Sequence, residues 1–198
     1  MPEAVSGFYE LRPRRSDPAE VWLIVLAAVF LVAQEKQAAR YLLPFPIGAK
    51  VYVLQGNNGP WGHTKEIAYA YDFKMPIGSD VCAARSGAVV KTETRFIDGN
   101  RTPGQENFIF IDHGDRTFSR YYHLTKDGVL VKVGDHVQAG DKIGRSGNTG
   151  ASAGPHLHFD VTEKCPEWGC QTIPVEFSNA AQNPLQADKE YQALPPGK

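Results

Sequence analysis

Two histidines one residue apart, His156 and His158, are the residues of this 198-residue chain whose types and spacing most directly suggest chemistry. They alternate with the apolar residues Leu157 and Phe159, and this alternation predicts a short strand over residues 156–161. Because successive side chains of a strand point to opposite faces, both imidazoles should lie on the same face. Both imidazoles of such a pair could bind one metal ion, or one could bind the ion while the other acts beside it. The alternative is a pair of solvated surface histidines.

Three further residues, His63, Asp72 and His123, complete the inventory that a hydrolytic zinc site needs. Such a site takes three protein ligands from His, Asp or Glu and keeps a fourth position open for water. It also needs a general base near that water and hydrogen-bond donors for the developing oxyanion. The sequence contains no Gly-rich phosphate loop, no Gly-x-Ser-x-Gly elbow and no His-Glu-x-x-His motif. A nucleotide enzyme, a serine hydrolase and a helix-based zinc protease therefore have no support.

The elements that must position these residues are predicted to be short β-strands. The chain has 19 glycines and 14 prolines spread along its length, which favour many strands joined by turns over a helical bundle. We therefore predict a mostly β, antiparallel, barrel-like or sandwich domain. The predicted strands are residues 50–54, 68–73, 87–93, a hairpin of 107–113 and 117–124, 129–131, 141–144 and the strand at 156–161.

The chain is predicted to have a leader at residues 1–39, the β domain at 40–178 and a poorly ordered polar tail at 179–198. The uncharged run at 21–33 is shorter than the roughly 20 apolar residues of a membrane span and fits the apolar region of a secretory signal. An uncleaved anchor or a plain buried helix is the alternative, because no clean cleavage site follows. The formal net charge of −1 argues against a nucleic-acid partner bound through a basic field.

Several stretches match one known pattern in order. They are a strand-turn-strand at 78–90, a Tyr-x-His-Leu strand at 120–124, a glycine turn pair at 131–144, and Ser-Gly-Asn-Thr-Gly at 146–150 leading to Gly-Pro-His-Leu-His-Phe at 154–159. In these stretches the chain resembles the lysostaphin-type, or LytM-like, zinc metallopeptidases, which cut peptide bonds in bacterial peptidoglycan. The resemblance covers about half of the chain, from His63 to Val161.

The resemblance implies both a fold and a site. The implied fold is a LytM-type β domain with a duplicated hybrid motif, which here follows an N-terminal apolar helix. The implied zinc ligands are His63, Asp72 and His158. His123 and His156 are implied to lie near the attacking water, as general base or as stabilisers of the oxyanion, and the resemblance does not decide which residue has which role.

The spacing of His63 departs from the family. The family usually places its first histidine four residues before the aspartate, whereas here residues 64–71 separate His63 from Asp72. We interpret the longer segment as a variant loop. A plain turn histidine at position 63 and a structural carboxylate at position 72 are the alternatives.

The function that the resemblance implies is that of a zinc-dependent endopeptidase acting on peptidoglycan cross-links or stems. Such an enzyme would be exported to the periplasm or cell envelope, with membrane anchoring through residues 21–33 as a variant. The alternative is a non-catalytic LytM-like module that binds the cell wall or activates an amidase, although such relatives usually lack ligands. The turn pair also recurs in biotinyl and lipoyl carriers, but Asp141-Lys142-Ile143-Gly144 does not resemble their modified lysine site.

The remaining candidate residues have weaker signals. His113 precedes a turn, so packing is its default role and a contact with substrate the alternative. His136 is expected to face solvent, and Trp61 to line the cleft. Cys165 and Cys170 can close as a disulfide in an oxidising compartment.

Overall fold

The computed structural model describes residues 41–196 of the protein. The predicted mostly β architecture is confirmed, and the described part adds one 3₁₀ turn at Lys65–Ile67. The apolar segment at 21–33 and its predicted helix lie outside the described residues. No helix within the range 41–196 is both long and apolar enough to cross a membrane.

The strands are β1 (Lys50–Gln55), β2 (Ala70–Lys74), β3 (Asp80–Cys82), β4 (Gly87–Glu93), β5 (Phe108–Asp112), β6 (Thr117–Tyr122), β7 (Leu124–Val129), β8 (His136–Val137), β9 (Lys142–Ser146), β10 (Leu157–Glu163) and β11 (Lys189–Gln192).

The strands form two antiparallel sheets that share one hydrophobic core. The large sheet has the strand order β11-β1-β2-β10-β6-β5-β4-β8, and the small sheet has the order β3-β9-β7. Tyr71, Phe73, Tyr121 and Phe159 fill the core side of the central strands β2, β10 and β6 and are fully buried. Because strand side chains alternate, the polar residues between them are fixed on the opposite face.

The strand register places four polar or aromatic side chains in one row across that opposite face. Asp72 on β2 lies opposite Gln55 on β1 and opposite His158 on β10. His158 in turn lies opposite Tyr122 on β6. Directly opposed residues have Cβ atoms about 4.5–5.5 Å apart. The register therefore makes neighbours of residues as far apart in sequence as Asp72 and His158.

The chain crosses from the large sheet to the small sheet at His123. The predicted strand over 117–124 is therefore divided, since β6 ends at Tyr122 and β7 begins at Leu124. His123 has a φ of 62°, in the left-handed region, which costs a non-glycine residue about 1–3 kcal/mol. The predicted strand at 129–131 is wrong except for its first residue, because β7 ends at Val129 and the apolar residues after it lie outside the strand.

The start of one predicted strand and the predicted C-terminal tail also differ from the structure. The strand that carries the histidine pair begins at Leu157, and His156 precedes it in an isolated bridge with Gly147. The expectation of a poorly ordered tail is wrong, because β11 pairs with β1 at the edge of the large sheet. Tyr191 on β11 is buried in the core, and that burial outweighs the polar character of its neighbours.

Candidate metal centre and cleft

Three buried side chains from separate elements converge on one point. His63 comes from the loop between β1 and β2, Asp72 from β2 and His158 from β10. His63 Nε2 lies 3.2 Å from Asp72 Oδ1, and His158 Nδ1 lies 2.9 Å from the same oxygen. One ligand atom from each residue lies within 4.8 Å of the other two. The structure thus brings together the three residues that the resemblance assigns to zinc.

Both imidazoles use their outer ring nitrogen in a hydrogen bond. His63 Nδ1 donates to the Gly56 carbonyl at 2.9 Å, and His158 Nε2 donates to Asp160 Oδ2 at 3.1 Å. In a neutral imidazole the other nitrogen then carries a lone pair. His63 Nε2, His158 Nδ1 and Asp72 Oδ1 therefore face one another as three acceptors. Such an arrangement requires a cation, either a metal ion or protons on the imidazoles.

The spacing and chemistry of these donors fit zinc. A tetrahedral zinc ion with ligands at about 2.0–2.1 Å holds them about 3.3 Å apart along each edge. The two distances to Asp72 Oδ1, 3.2 Å and 2.9 Å, are close to that value. Two imidazoles and one carboxylate also leave the fourth position of the tetrahedron open, as hydrolytic zinc sites require.

The electrostatics around Asp72 favour positive charge at this point. Burial raises the pKa of Asp72, but hydrogen bonds from His158 and His63 outweigh it and hold the pKa well below its ordinary value. Burial lowers the pKa of His158, but hydrogen bonds to Asp160 and Asp72 outweigh it and raise the pKa to about 9. Two carboxylates thus flank the His158 ring, one at each nitrogen.

His123 and His156 form a second imidazole pair beside the first, with ring centroids 4.6 Å apart. His123 Nδ1 donates to the Thr149 carbonyl at 2.7 Å, and His156 Nδ1 donates to the Gly154 carbonyl at 2.8 Å. Neither Nε2 atom makes a hydrogen bond within the described range, and His156 Nε2 lies 3.7 Å from Asp72 Oδ1. Both Nε2 atoms are therefore placed to accept a proton beside the candidate metal centre.

The second pair is held neutral by its surroundings. Burial lowers the pKa of His123, and repulsion from His156 and His158 lowers it further, to about 3. Burial also lowers the pKa of His156, although Asp72 partly opposes this effect. A neutral imidazole can act as a proton acceptor, which is the state that a general base needs.

Gln55 and a glycine turn place His63 despite the unusual spacing. Gly62 has a φ of 109°, a conformation that glycine adopts readily, and it turns the chain immediately before His63. The Gln55 side chain accepts the backbone N–H of Trp61 at 3.1 Å and donates to Asp72 Oδ2 at 2.7 Å. One buried amide therefore holds both the loop and the carboxylate. Sequence reasoning did not single out Gln55, because its role depends on the pairing of β1 with β2.

A buried ion pair behind His158 was also missed by sequence reasoning. Arg120 Nε donates to Asp160 Oδ1 at 2.7 Å and Arg120 Nη2 donates to Oδ2 at 2.9 Å, and both side chains are fully buried. Burial raises the pKa of Asp160, but the Arg120 charge and the His158 hydrogen bond outweigh it and keep the carboxylate ionised. The alternation of His158 and Asp160 along the strand was the available signal, and the partner on β6 required the register.

A cleft of about 620 Å³ is lined by all five predicted site residues. Trp61, which the sequence suggested as a lining residue, also lines this cleft. Trp168 does so as well, although sequence reasoning gave it no role. The five polar residues and the two indoles therefore belong to one cleft.

Other sequence candidates lie elsewhere. His113 donates Nδ1–H to the Ser86 carbonyl at 2.9 Å and packs edge-on against the Tyr41 ring, so it has the packing role that was its default. It is not among the residues that line the cleft. His136 on β8 is exposed to solvent as expected. Cys165 and Cys170 are joined in a disulfide.

An antiparallel β domain with a His-Asp-His cluster in its cleft is the arrangement expected of a LytM-like metallopeptidase fold. The sequence model described as peptidase family M23 matches residues 66–169, which is just over half of the chain. The chain belongs to this family. The matched range contains Asp72, His123, His156 and His158, and it begins after His63.

Known relatives agree with this assignment. The chain is 43% identical over 90 residues to the peptidoglycan DD-endopeptidase ShyA of Vibrio cholerae, covering 46% of the chain and 19% of ShyA. It is 39% identical over 128 residues to lysostaphin of Staphylococcus staphylolyticus, covering 64% of the chain and 23% of lysostaphin. The chain thus spans about a fifth of the length of these two relatives. A crystal structure of a zinc-containing peptidase from Vibrio cholerae superimposes with a TM-score of 0.50 at 29% identity, covering 68% of this chain and 39% of that chain.

Proposed function

We propose that the protein is a zinc-dependent endopeptidase that hydrolyses peptide bonds of bacterial peptidoglycan, in its cross-links or stems. One observation carries the proposal. Three inward-facing ligand atoms, from His63, Asp72 and His158, lie in the same cleft as two imidazoles with free Nε2 atoms.

The relatives support the choice of metal and substrate. ShyA is by name a peptidoglycan DD-endopeptidase, and the superimposed peptidase from Vibrio cholerae is described as containing zinc. Family membership and the donor set described above point the same way.

The metal would be held by His63 Nε2, His158 Nδ1 and a carboxylate oxygen of Asp72. A zinc ion bound there would supply Lewis acidity and lower the pKa of a coordinated water to about 7. The outer hydrogen bonds to Gly56 and Asp160 would keep both imidazoles in the tautomer that presents a lone pair to the ion.

His123 and His156 would accept the proton that the attacking water loses. Their Nδ1–H groups are fixed on backbone carbonyls, so each ring can take a proton only at Nε2, and both residues line the cleft. The ring that accepts the proton then becomes an N–H donor for the developing oxyanion or the leaving amine. His156 Nε2 lies 3.7 Å from Asp72 Oδ1, so this acceptor is beside the atoms that would hold the metal.

We also propose that residues 1–39 form an export leader, so that the enzyme works in the periplasm or cell envelope. The family and the names of the relatives support this location, because peptidoglycan lies outside the cytoplasm. The Cys165–Cys170 disulfide is consistent with an oxidising compartment. The domain proper would then begin at residue 40, and the segment after residue 178 would complete its large sheet.

Digestion of purified cell-wall sacculi, followed by mass analysis of the released fragments, tests the proposal. Wild type and His136→Ala, which changes an exposed histidine outside the cleft, should release peptide-cleaved fragments. His156→Ala should release few or none. Equal digestion by wild type and His156→Ala would contradict the mechanism. Absence of fragments with every form of the protein would instead favour a cell-wall binding or amidase-activating module.

A further inference from the structure

Trp168 is a largely exposed side chain in an unusually fixed position. It is 72% exposed, so it gains little free energy from burial, yet it lines the same cleft as His156 and His158. It lies in the short loop between Cys165 and Cys170. The indole meets the Tyr122 ring edge-on, and most of its surface stays accessible to solvent.

Three restraints fix the loop that carries Trp168. The Cys165–Cys170 disulfide closes the loop. Arg120 Nη1 donates to the Glu167 carbonyl at 2.8 Å, from a fully buried guanidinium. Lys91 Nζ also lies 2.9 Å from Glu167 Oε2, although this exposed pair contributes less. A wall that is fixed before binding loses less conformational entropy when a ligand arrives.

Arg120 joins this loop to the metal centre. The same guanidinium that binds the Glu167 carbonyl also binds both oxygens of Asp160. Asp160 in turn accepts the outer hydrogen bond of His158. A single buried side chain therefore fixes the position of the loop relative to the candidate zinc ligand.

Tyr122 sets the distance between Trp168 and the reacting centre. Its ring meets Trp168 at right angles with centroids 6.1 Å apart and meets His158 at 5.7 Å. The Trp168 and His158 rings are thus separated by at most about 12 Å. An extended peptide advances about 3.3 Å per residue, so this gap spans no more than about three or four residues of a bound peptide.

We propose that the loop closed by Cys165 and Cys170 is a preorganised wall of the cleft, and that Trp168 on it binds an apolar part of the substrate peptide close to the scissile bond. This inference rests on the proposed peptidase function. An indole offers a large rigid apolar face, and tryptophan is among the residues that most often dominate binding energy at interfaces. Apolar side chains such as alanine and the Cα–H edge of an extended peptide match that face. Arg120 is a positioning residue in this account.

The test measures kcat and KM for cross-linked muropeptides released from sacculi by a muramidase. Trp168→Ala should raise KM roughly tenfold or more, while zinc content and kcat stay near wild type. Trp168→Phe should recover part of the loss. Val133→Ala, at a residue that is 59% exposed outside the cleft, is the matched control and should change neither constant.

A double variant, Cys165→Ser with Cys170→Ser, tests preorganisation separately. It keeps the indole but frees the loop, so KM should rise by less than in Trp168→Ala, with zinc retained. An active wild type with an unchanged KM in Trp168→Ala would overturn this inference and leave the proposed function standing. A Trp168→Ala variant that loses zinc and kcat together would also overturn it, since the residue would then be structural. A zinc-loaded wild type that cleaves no muropeptide would overturn the proposed function itself.

Discussion

Two imidazoles of the cleft, those of His158 and His123, lie side by side in opposite electrostatic surroundings. The His123 and His158 ring centroids are 6.1 Å apart, yet the pKa of His158 is raised to about 9 and that of His123 is lowered to about 3. Burial alone lowers the pKa of both rings. The partners make the difference, because Asp72 and Asp160 flank His158. His123 meets the Thr149 carbonyl and other imidazoles instead.

The comparison shows how one cleft can give two histidines different electrostatic properties. The two carboxylates raise the proton affinity of His158 and prepare it to face a cation, whereas burial and neighbouring imidazoles leave His123 neutral. His156 and His158 are equivalent in the sequence pattern, and their partners remove that equivalence.

The largest effect is expected from Asp72→Ala. This change removes the carboxylate on which both imidazoles converge, so zinc content should fall to background and turnover should be lost. Metal analysis of the dialysed protein checks the result. Glu190→Ala, at an exposed carboxylate on β11, should keep its zinc. Stoichiometric zinc in Asp72→Ala would show that the ion is held elsewhere.

The protonation states of His158 and His123 should differ sharply in the zinc-free protein. His158 should carry a proton at pH 7 and lose it only as the pH rises through about 9. His123 should be neutral at pH 7 and gain a proton only as the pH falls toward about 3. Because zinc must displace the His158 proton, apparent zinc affinity should increase with pH up to about 9. NMR titration of the ring resonances would refute the comparison if both rings titrated near pH 6.5.

A smaller effect is expected from Asp160→Asn, which removes the charge behind His158 but keeps the shape of the side chain. Loss of such an outer partner typically weakens metal binding about 10–100-fold. Competition with a chelator of known affinity measures the change. Asp188→Asn, an exposed site, should bind zinc as wild type does. Unchanged affinity in Asp160→Asn would mean that the outer hydrogen bond does not hold the ligand.

The smallest effect is expected from Gln55→Ala. The variant loses the amide hydrogen bond to Asp72 Oδ2 and the contacts to the Trp61 backbone, but only the first acts directly on a candidate ligand, and both imidazole contacts to Oδ1 persist. A net loss of about 1 kcal/mol corresponds to less than about tenfold in zinc affinity. The same chelator competition measures it. A larger loss than in Asp160→Asn would reverse the ranking proposed for the two outer contacts.

Local patterns in the sequence were sufficient to predict the β architecture, and the family resemblance named the three residues that form the His-Asp-His cluster. The alternation around His158 indicated a strand, and glycine-rich turns separated that strand from its neighbours. The family resemblance gave each of the five candidate residues an expected role, and the register of β2 with β10 shows why Asp72 and His158 lie next to each other. The contact of His63 with Asp72 despite the longer insert could not be predicted, because it depends on the hydrogen bond between Gln55 and the loop before His63.

Features that depend on pairing between strands far apart in the chain could not be predicted from the sequence. β11 has one buried aromatic residue, Tyr191, among polar neighbours, so it lacks the alternation that marks a strand. Its stability comes from pairing with β1, far away in sequence. Arg120 and Asp160 are charged residues that would ordinarily be placed on the surface, and only their direct opposition across β6 and β10 explains their burial.

The most direct test of the division between the pairs compares His158→Ala with His156→Ala in the same two assays, zinc content and turnover of sacculi. His158→Ala should lose both zinc and turnover. His156→Ala should keep its zinc and lose turnover, by about 10²–10⁴-fold if its role is proton transfer. Loss of zinc in both variants, or full turnover in His156→Ala, would contradict the account.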